Sequence, residues 1–190
     1  MDRISYLCGL GNPGSDYDHT RHNLGFDLLD MLARKIGSGW RVIEGKAAVS
    51  SGIVAGREAV LFKPLTYVNR AGKSFSLFPE LNESNLLVLC DDINLDLGNI
   101  RIRNSGGSGG HNGLESIERY LNSRDYSRLR MGIGPPPDPS RWKDFVLGQF
   151  TAKEQEIVDS MLRTAVRAVE TVVAEGIREG MQKFNRRNSG

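Results

Sequence analysis

Apolar and polar positions along this chain switch between the period of a strand and that of a helix. Residues 4–10 form a short apolar run closed by Gly11-Asn-Pro-Gly14, which predicts a buried strand and a turn. Phe26, Leu28, Leu29, Leu32 and Ile36 then recur at helical spacing until Gly37-Ser-Gly39 stops them. Residues 47–54 and 58–64 flank Ala55-Gly56 as the arms of a β-hairpin. A short helix is expected over 69–78, weakened by Gly72. Leu86-Leu-Val-Leu-Cys90 is the most continuous apolar run, as in a central strand covered on both faces.

Residues 99–103 alternate as a strand and lead into Ser105-Gly-Gly-Ser-Gly-Gly110, a loop. A helix over 112–121, a strand over 128–133 and a rigid turn at Pro135-Pro-Pro137 follow. Thr151 and Glu154 have the spacing of a capping box, and behind them an apolar stripe from Ile157 to Ile177 predicts one long helix. Strands interleaved with helices indicate an α/β layer fold. No repeat or linker divides the chain, so residues 1–190 read as a single domain.

Composition narrows the class. The 190 residues are enough to bury roughly 70% of the unfolded surface without a disulfide or metal. Cys8 and Cys90 each end an apolar run and read as buried, reduced thiols. No run approaches the length of a spanning helix, and the first residues lack a signal-peptide pattern, so a cytoplasmic location with no membrane partner is expected. A net charge of +2 is too small to announce nucleic-acid binding, and any basic surface must be local.

Three familiar patterns fail on their context. Gly9-Leu-Gly11-Asn-Pro-Gly14 has dinucleotide-loop spacing but does not open directly into a helix. Gly106-Gly-Ser108-Gly-Gly110 follows an amphipathic strand, and no histidine lies beyond His111 to complete a serine triad. Asp92-x-Asn94-x-Asp96 begins like a calcium loop, but Leu97 and Arg103 stand where glycine and glutamate are needed. Three histidines and two distant cysteines suggest no zinc cluster, and neither metal nor cofactor is expected.

Polar groups at strand ends remain: Asn12, His22, Asn69, Asp91 and Asn112. In open α/β sheets, ligands bind in the crevice beyond the carboxyl ends of the strands. A histidine, one carboxylate and several amides, without a nucleophile, suit general-base attack by water on an activated acyl bond. Arg101 and Arg103 share one face of their strand and Arg130 ends a neighbouring apolar segment, so these three are candidate phosphate contacts or else part of a solvated sheet face. Lys183, Arg186 and Arg187 read as a solvated, frayed terminus.

Gly9-Leu-Gly-Asn-Pro-Gly14, Thr20-Arg-His-Asn-Leu-Gly25, Lys63-Pro-Leu-Thr-Tyr-Val-Asn-Arg-Ala-Gly72, Asp91-Asp92 and Gly109-Gly-His-Asn-Gly-Leu114 closely resemble the bacterial-type peptidyl-tRNA hydrolases. Arg128-Leu-Arg-Met-Gly-Ile-Gly134, Phe145-Val-Leu-Gly148 and Lys183-Phe-Asn185 extend the resemblance to the last helix. It implies a monomeric, three-layer α/β/α sandwich with a mixed, largely parallel sheet. Such an enzyme cleaves the ester joining peptide to tRNA and recycles tRNA from aborted translation, meeting its substrate at the acceptor end and the nascent peptide. The resemblance assigns His22 as the base, Asp91 as its orienting carboxylate and Asn12 as a discriminator of blocked aminoacyl groups. It places Tyr17, Tyr67, Asn69 and Asn112 along the substrate. The chain departs from the family pattern at Ile93-Asn-Leu-Asp96, Val68 and Arg70. The rival expectation is a non-catalytic RNA-binding relative, similar to chloroplast group II intron splicing factors.

Overall fold

The computed structural model describes residues 3–185. Its centre is a seven-stranded sheet of β1 (Tyr6–Gly9), β2 (Arg41–Ile43), β3 (Ala47–Val54), β4 (Arg57–Pro64), β5 (Leu86–Asp92), β6 (Ile100–Arg103) and β7 (Ser127–Gly132). The spatial order is β2-β3-β4-β1-β5-β7-β6. Strands β4, β1, β5 and β7 run parallel through the middle, while β2 and β3 on one side and β6 on the other are antiparallel to their neighbours. The sheet is mixed as expected, parallel through its centre and antiparallel at both edges.

Alternation along the strands builds two cores. Leu7, Leu61, Leu87, Leu89 and Leu129 face α1 (Leu24–Lys35) and α4 (Ala152–Glu175). Cys8, Phe62, Leu86, Val88 and Cys90 face α2 (Asn112–Leu121) and a 3-10 helix at Val68–Leu77. Successive strand side chains point to opposite faces, so each apolar run serves both layers and the fold is an α/β/α sandwich. Cys8 and Cys90 are free and buried, and burial pushes both thiols up, as expected of inert core cysteines. Among the described residues no helix is long and apolar enough to cross a membrane.

Local chemistry explains most boundaries. The Thr151 hydroxyl accepts from the Glu154 N–H at 3.3 Å and the Glu154 carboxylate accepts from the Thr151 N–H at 2.7 Å, completing the predicted capping box. The long helix expected through Ile177 is instead broken at Gly176, whose φ of 100° a side chain would resist. The chain turns there into α5 (Ile177–Phe184), which packs back on β6. The short edge strand β2 and α3 (Trp142–Leu147) were not anticipated from the sequence. The predicted helix over 69–78 is the 3-10 helix. Lys183 pairs with Glu175 at 2.7 Å, whereas Arg186 and Arg187 lie outside the described residues.

Candidate active site

Close backbone approach assembles the site. A Cβ on Gly25 would overlap the Leu89 carbonyl and the Leu10 backbone, so only glycine lets the start of α1 rest on β1 and β5. The 3-10 turn Arg21–Asn23 immediately before α1 thereby comes level with the carboxyl end of β5. Arg21 secures this turn from outside. It is buried between the Phe145 and Phe150 rings, and it donates to Glu154 at 2.9 Å and to the Gln149 carbonyl at 2.7 Å.

His22, on that turn, places Nδ1 2.9 Å from Asp91 Oδ1. His111 reaches the same oxygen through Nε2 at 3.0 Å. The side chains of His22, Asp91 and His111 are 8%, 2% and 9% exposed. Burial disfavours ionisation of Asp91, but the two imidazoles facing it outweigh that cost and hold its carboxyl well below the usual range. Burial likewise opposes protonation of His22, and the Asp91 charge and hydrogen bond overcome it, leaving His22 above the ordinary imidazole value.

The partners determine the tautomers. An ionised carboxylate only accepts, so His22 donates from Nδ1 and leaves Nε2 free for a water molecule. His111 caps α2, its Nδ1 accepting from the backbone N–H groups of Gly113 at 3.1 Å and Leu114 at 3.4 Å. Its Nε2 therefore carries the hydrogen given to Asp91.

The amides are similarly oriented. Asn12 Oδ1 accepts from the Val68 N–H at 2.9 Å, which turns the Nδ2 donor the other way. Asn23 holds the Asn12 backbone at both ends, accepting from its N–H and donating to its carbonyl, each at 2.9 Å. Asn12, Tyr67, Asn69 and Asn112 line a cleft of about 410 Å³. A second cleft of about 430 Å³ is lined by Asp91, Asp92, Gly109, His111 and Arg130. His22, Asn112, Trp142 and Val146 belong to both, so the clefts meet at the histidine. Tyr17, half-buried in a 3-10 turn, lines neither.

Arg101 lies opposite Arg130, and Arg103 opposite Arg128, across the β6–β7 ladder. Arg130 lines the second cleft, where its guanidinium pairs with Asp92 Oδ2 at 3.0 Å. Arg128 is buried against the Tyr126 ring and donates to the carbonyls of Gly107 and Arg124. Among the described residues no carboxylate pairs with Arg101, Arg103 or Arg128. Like charges facing across a ladder repel, and this arrangement suits an anionic ligand. Asp92 also accepts from the Asn94 N–H at 2.9 Å, so the departing Ile93–Asp96 segment still turns back on the strand end.

Sequence reasoning missed His111 in this role, having weighed it only as a serine-triad partner. Its position one residue before Asn112, at the start of a helix, was the available signal. The expectation of no metal-like cluster also needs correction. His22, Asp91 and His111 bring three ligand-type atoms within 4.8 Å of one another. Both ring nitrogens aim at one carboxylate oxygen, the geometry of a hydrogen-bonded relay.

The sequence pattern of the family described as peptidyl-tRNA hydrolase matches residues 6–190. The chain is similar to the peptidyl-tRNA hydrolase of Clostridium acetobutylicum, 38% identical over 182 residues covering 94% of this chain and 96% of that one. It is also similar to that of Thermoanaerobacter sp. strain X514, 41% identical over 185 residues covering 94% and 98%. Among solved structures it resembles the peptidyl-tRNA hydrolase of Acinetobacter baumannii with a TM-score of 0.91 and 35% identity, covering 97% of this chain and 96% of that one.

Proposed function

The chain belongs to the peptidyl-tRNA hydrolase family, and from that premise we propose how its own residues carry the reaction. The reaction is hydrolysis of the ester between peptide and tRNA. The non-catalytic RNA-binding alternative is not favoured, since the relatives matched along almost the whole chain are hydrolases. The orientation of His22 supports the following reading: Nδ1 is held by Asp91, and Nε2 is free where the two clefts meet.

A water molecule at His22 Nε2 gives up a proton as its oxygen bonds to the ester carbonyl carbon. Asp91 stabilises the imidazolium so formed, and His111 keeps the carboxylate aimed. The Asn12 Nδ2 donor meets the carbonyl oxygen as it gains negative charge, like a side-chain oxyanion hole. Collapse of the tetrahedral intermediate breaks the carbon–oxygen bond to the tRNA ribose. The proton on His22 passes to that oxygen, releasing a free hydroxyl and a peptide carboxylic acid, which then ionises.

Tyr67, Asn69 and Asn112 hold the peptide in their cleft, with amides that read backbone rather than side chains. The tRNA acceptor end occupies the cleft beside Gly109, with phosphates toward Arg130, Arg101 and Arg103. The protein acts as a monomer and returns tRNA from aborted translation. Tyr17 has no contact in this reading.

Incubation with an N-acetyl-aminoacyl-tRNA should release free tRNA. His22→Ala should lower kcat by about 100-fold or more while retaining tRNA binding, because it removes the base and no phosphate contact. Near-wild-type turnover by that variant would require another base and overturn the assignment.

A further inference from the structure

The sheet edge at β6 carries a contact that the hydrolytic chemistry does not use. Strand β7 pairs with one side of β6, and among the described residues no strand pairs with the other. At that edge the Asn185 carboxamide accepts from the Ile102 N–H at 2.7 Å and donates to the Ile102 carbonyl at 2.8 Å. One side chain satisfies both backbone groups that a further strand would have engaged. Asn185 reaches this place because α5 lies close on the sheet. A Cβ on Gly180 would overlap Val172 and press on Ile102.

Ile102 is fully buried on the α4 side, so its neighbours Arg101 and Arg103 project from the opposite face of the strand. They face Arg130 and Arg128 across the ladder, and Asp92 neutralises only Arg130. A four-residue edge strand bearing two unpaired cations opposite two more tends to fray, and the Asn185 clasp is a separate constraint on its outer side.

We propose that Asn185 is a positioning residue for tRNA binding: by clasping Ile102 it holds Arg101 and Arg103 in register for successive phosphates. This rests on the reading of those arginines as phosphate contacts. Its effect is on capture of the tRNA, at a distance from the His22–Asp91 chemistry.

The test compares Asn185→Ala, Asn185→Ser, Arg103→Ala and the Asn185→Ala/Arg103→Ala double variant in the full chain. Serine is neutral but too short to span both backbone groups. With N-acetyl-aminoacyl-tRNA as substrate, Asn185→Ala should raise KM about 3- to 10-fold, the scale of one or two lost hydrogen bonds, with kcat within about twofold. The salt dependence of binding should become shallower by up to about one unit, and Ile102 amide exchange should accelerate. The double variant should raise KM by less than the product of the two single effects, because only Arg101 is then left to be positioned. Faster Ile102 exchange with KM unchanged would overturn the proposal, leaving Asn185 as an edge seal. Multiplicative KM losses in the double variant would also overturn it, since Asn185 would then act independently of Arg103. If Arg103→Ala alone leaves KM and salt slope unchanged, the phosphate-contact reading itself fails and this proposal falls with it. If Asn185→Ala melts too low to assay, Asn185→Ser decides: a smaller rise in KM supports the role, and an unchanged KM overturns it.

Discussion

Asp91 accepts hydrogen bonds from two imidazoles, and the rest of each ring is held differently. His111 Nδ1 is already occupied by the first backbone N–H groups of α2, so its ring is fixed through both nitrogens. His22 has only Asp91 on Nδ1, and its Nε2 can gain and lose a proton without breaking a protein contact. Asp91 raises the His22 pKa against the opposing effect of burial, so Asp91→Asn must lower it. In the proposed mechanism the base works unprotonated, so the acid limb of kcat/KM should move to lower pH, while the plateau falls by about 10- to 100-fold as the imidazolium loses its stabilising charge. The stability that His22 gains from Asp91 is fully present below its unfolded pKa and is lost as pH rises through the higher folded value. A pH–rate profile of the two proteins checks this, and an acid limb moving upward would contradict it.

At the scale of elements, helix α1 delivers His22 through a contact that a single methyl group would block. Replacing glycine by alanine inside a helix ordinarily stabilises by about 1 kcal/mol. At Gly25 the new Cβ meets backbone of Leu10 and Leu89, which no rotamer change relieves, and overpacking costs about 1–3 kcal/mol. The clash should win, so Gly25→Ala should lose stability in urea denaturation. Turnover should fall further than stability alone explains, because the His22 turn moves away from Asp91. A stabilised and fully active variant would mean that α1 tolerates displacement.

For the whole molecule, a net charge of +2 provides little long-range attraction for tRNA, so affinity must arise where cations cluster without partners. Among the described residues the β6–β7 ladder is such a place. Each phosphate contact adds a slope of about 0.7 to 0.9 to the logarithmic salt dependence of binding. Arg103→Ala should therefore weaken tRNA binding and flatten that slope by about one unit, as measured by titration across salt concentrations. An unchanged slope would return Arg101 and Arg103 to an ordinary solvated face.

The sequence by itself determined the elements whose causes are local. The hairpin arms, the run Leu86–Cys90, the amphipathic face of α1 and the Thr151–Glu154 cap all follow from periodicity, turn residues and capping chemistry within a few positions. The set Asn12, His22, Asn69, Asp91 and Asn112 was also legible, because strand and helix ends are where such a sheet gathers its polar groups. Tertiary structure decided how those groups are brought together and held. His22 and Asp91 are 69 positions apart, and their contact depends on Gly25 against the β5 backbone, a fit no local pattern encodes. The second hold on Asp91, from His111, the outward turn of the Asn12 donor and the break at Gly176 that carries Asn185 to the sheet edge likewise arise between distant segments. Periodicity specifies which face of an element is buried; hydrogen-bond direction and close approach exist only once the faces have met.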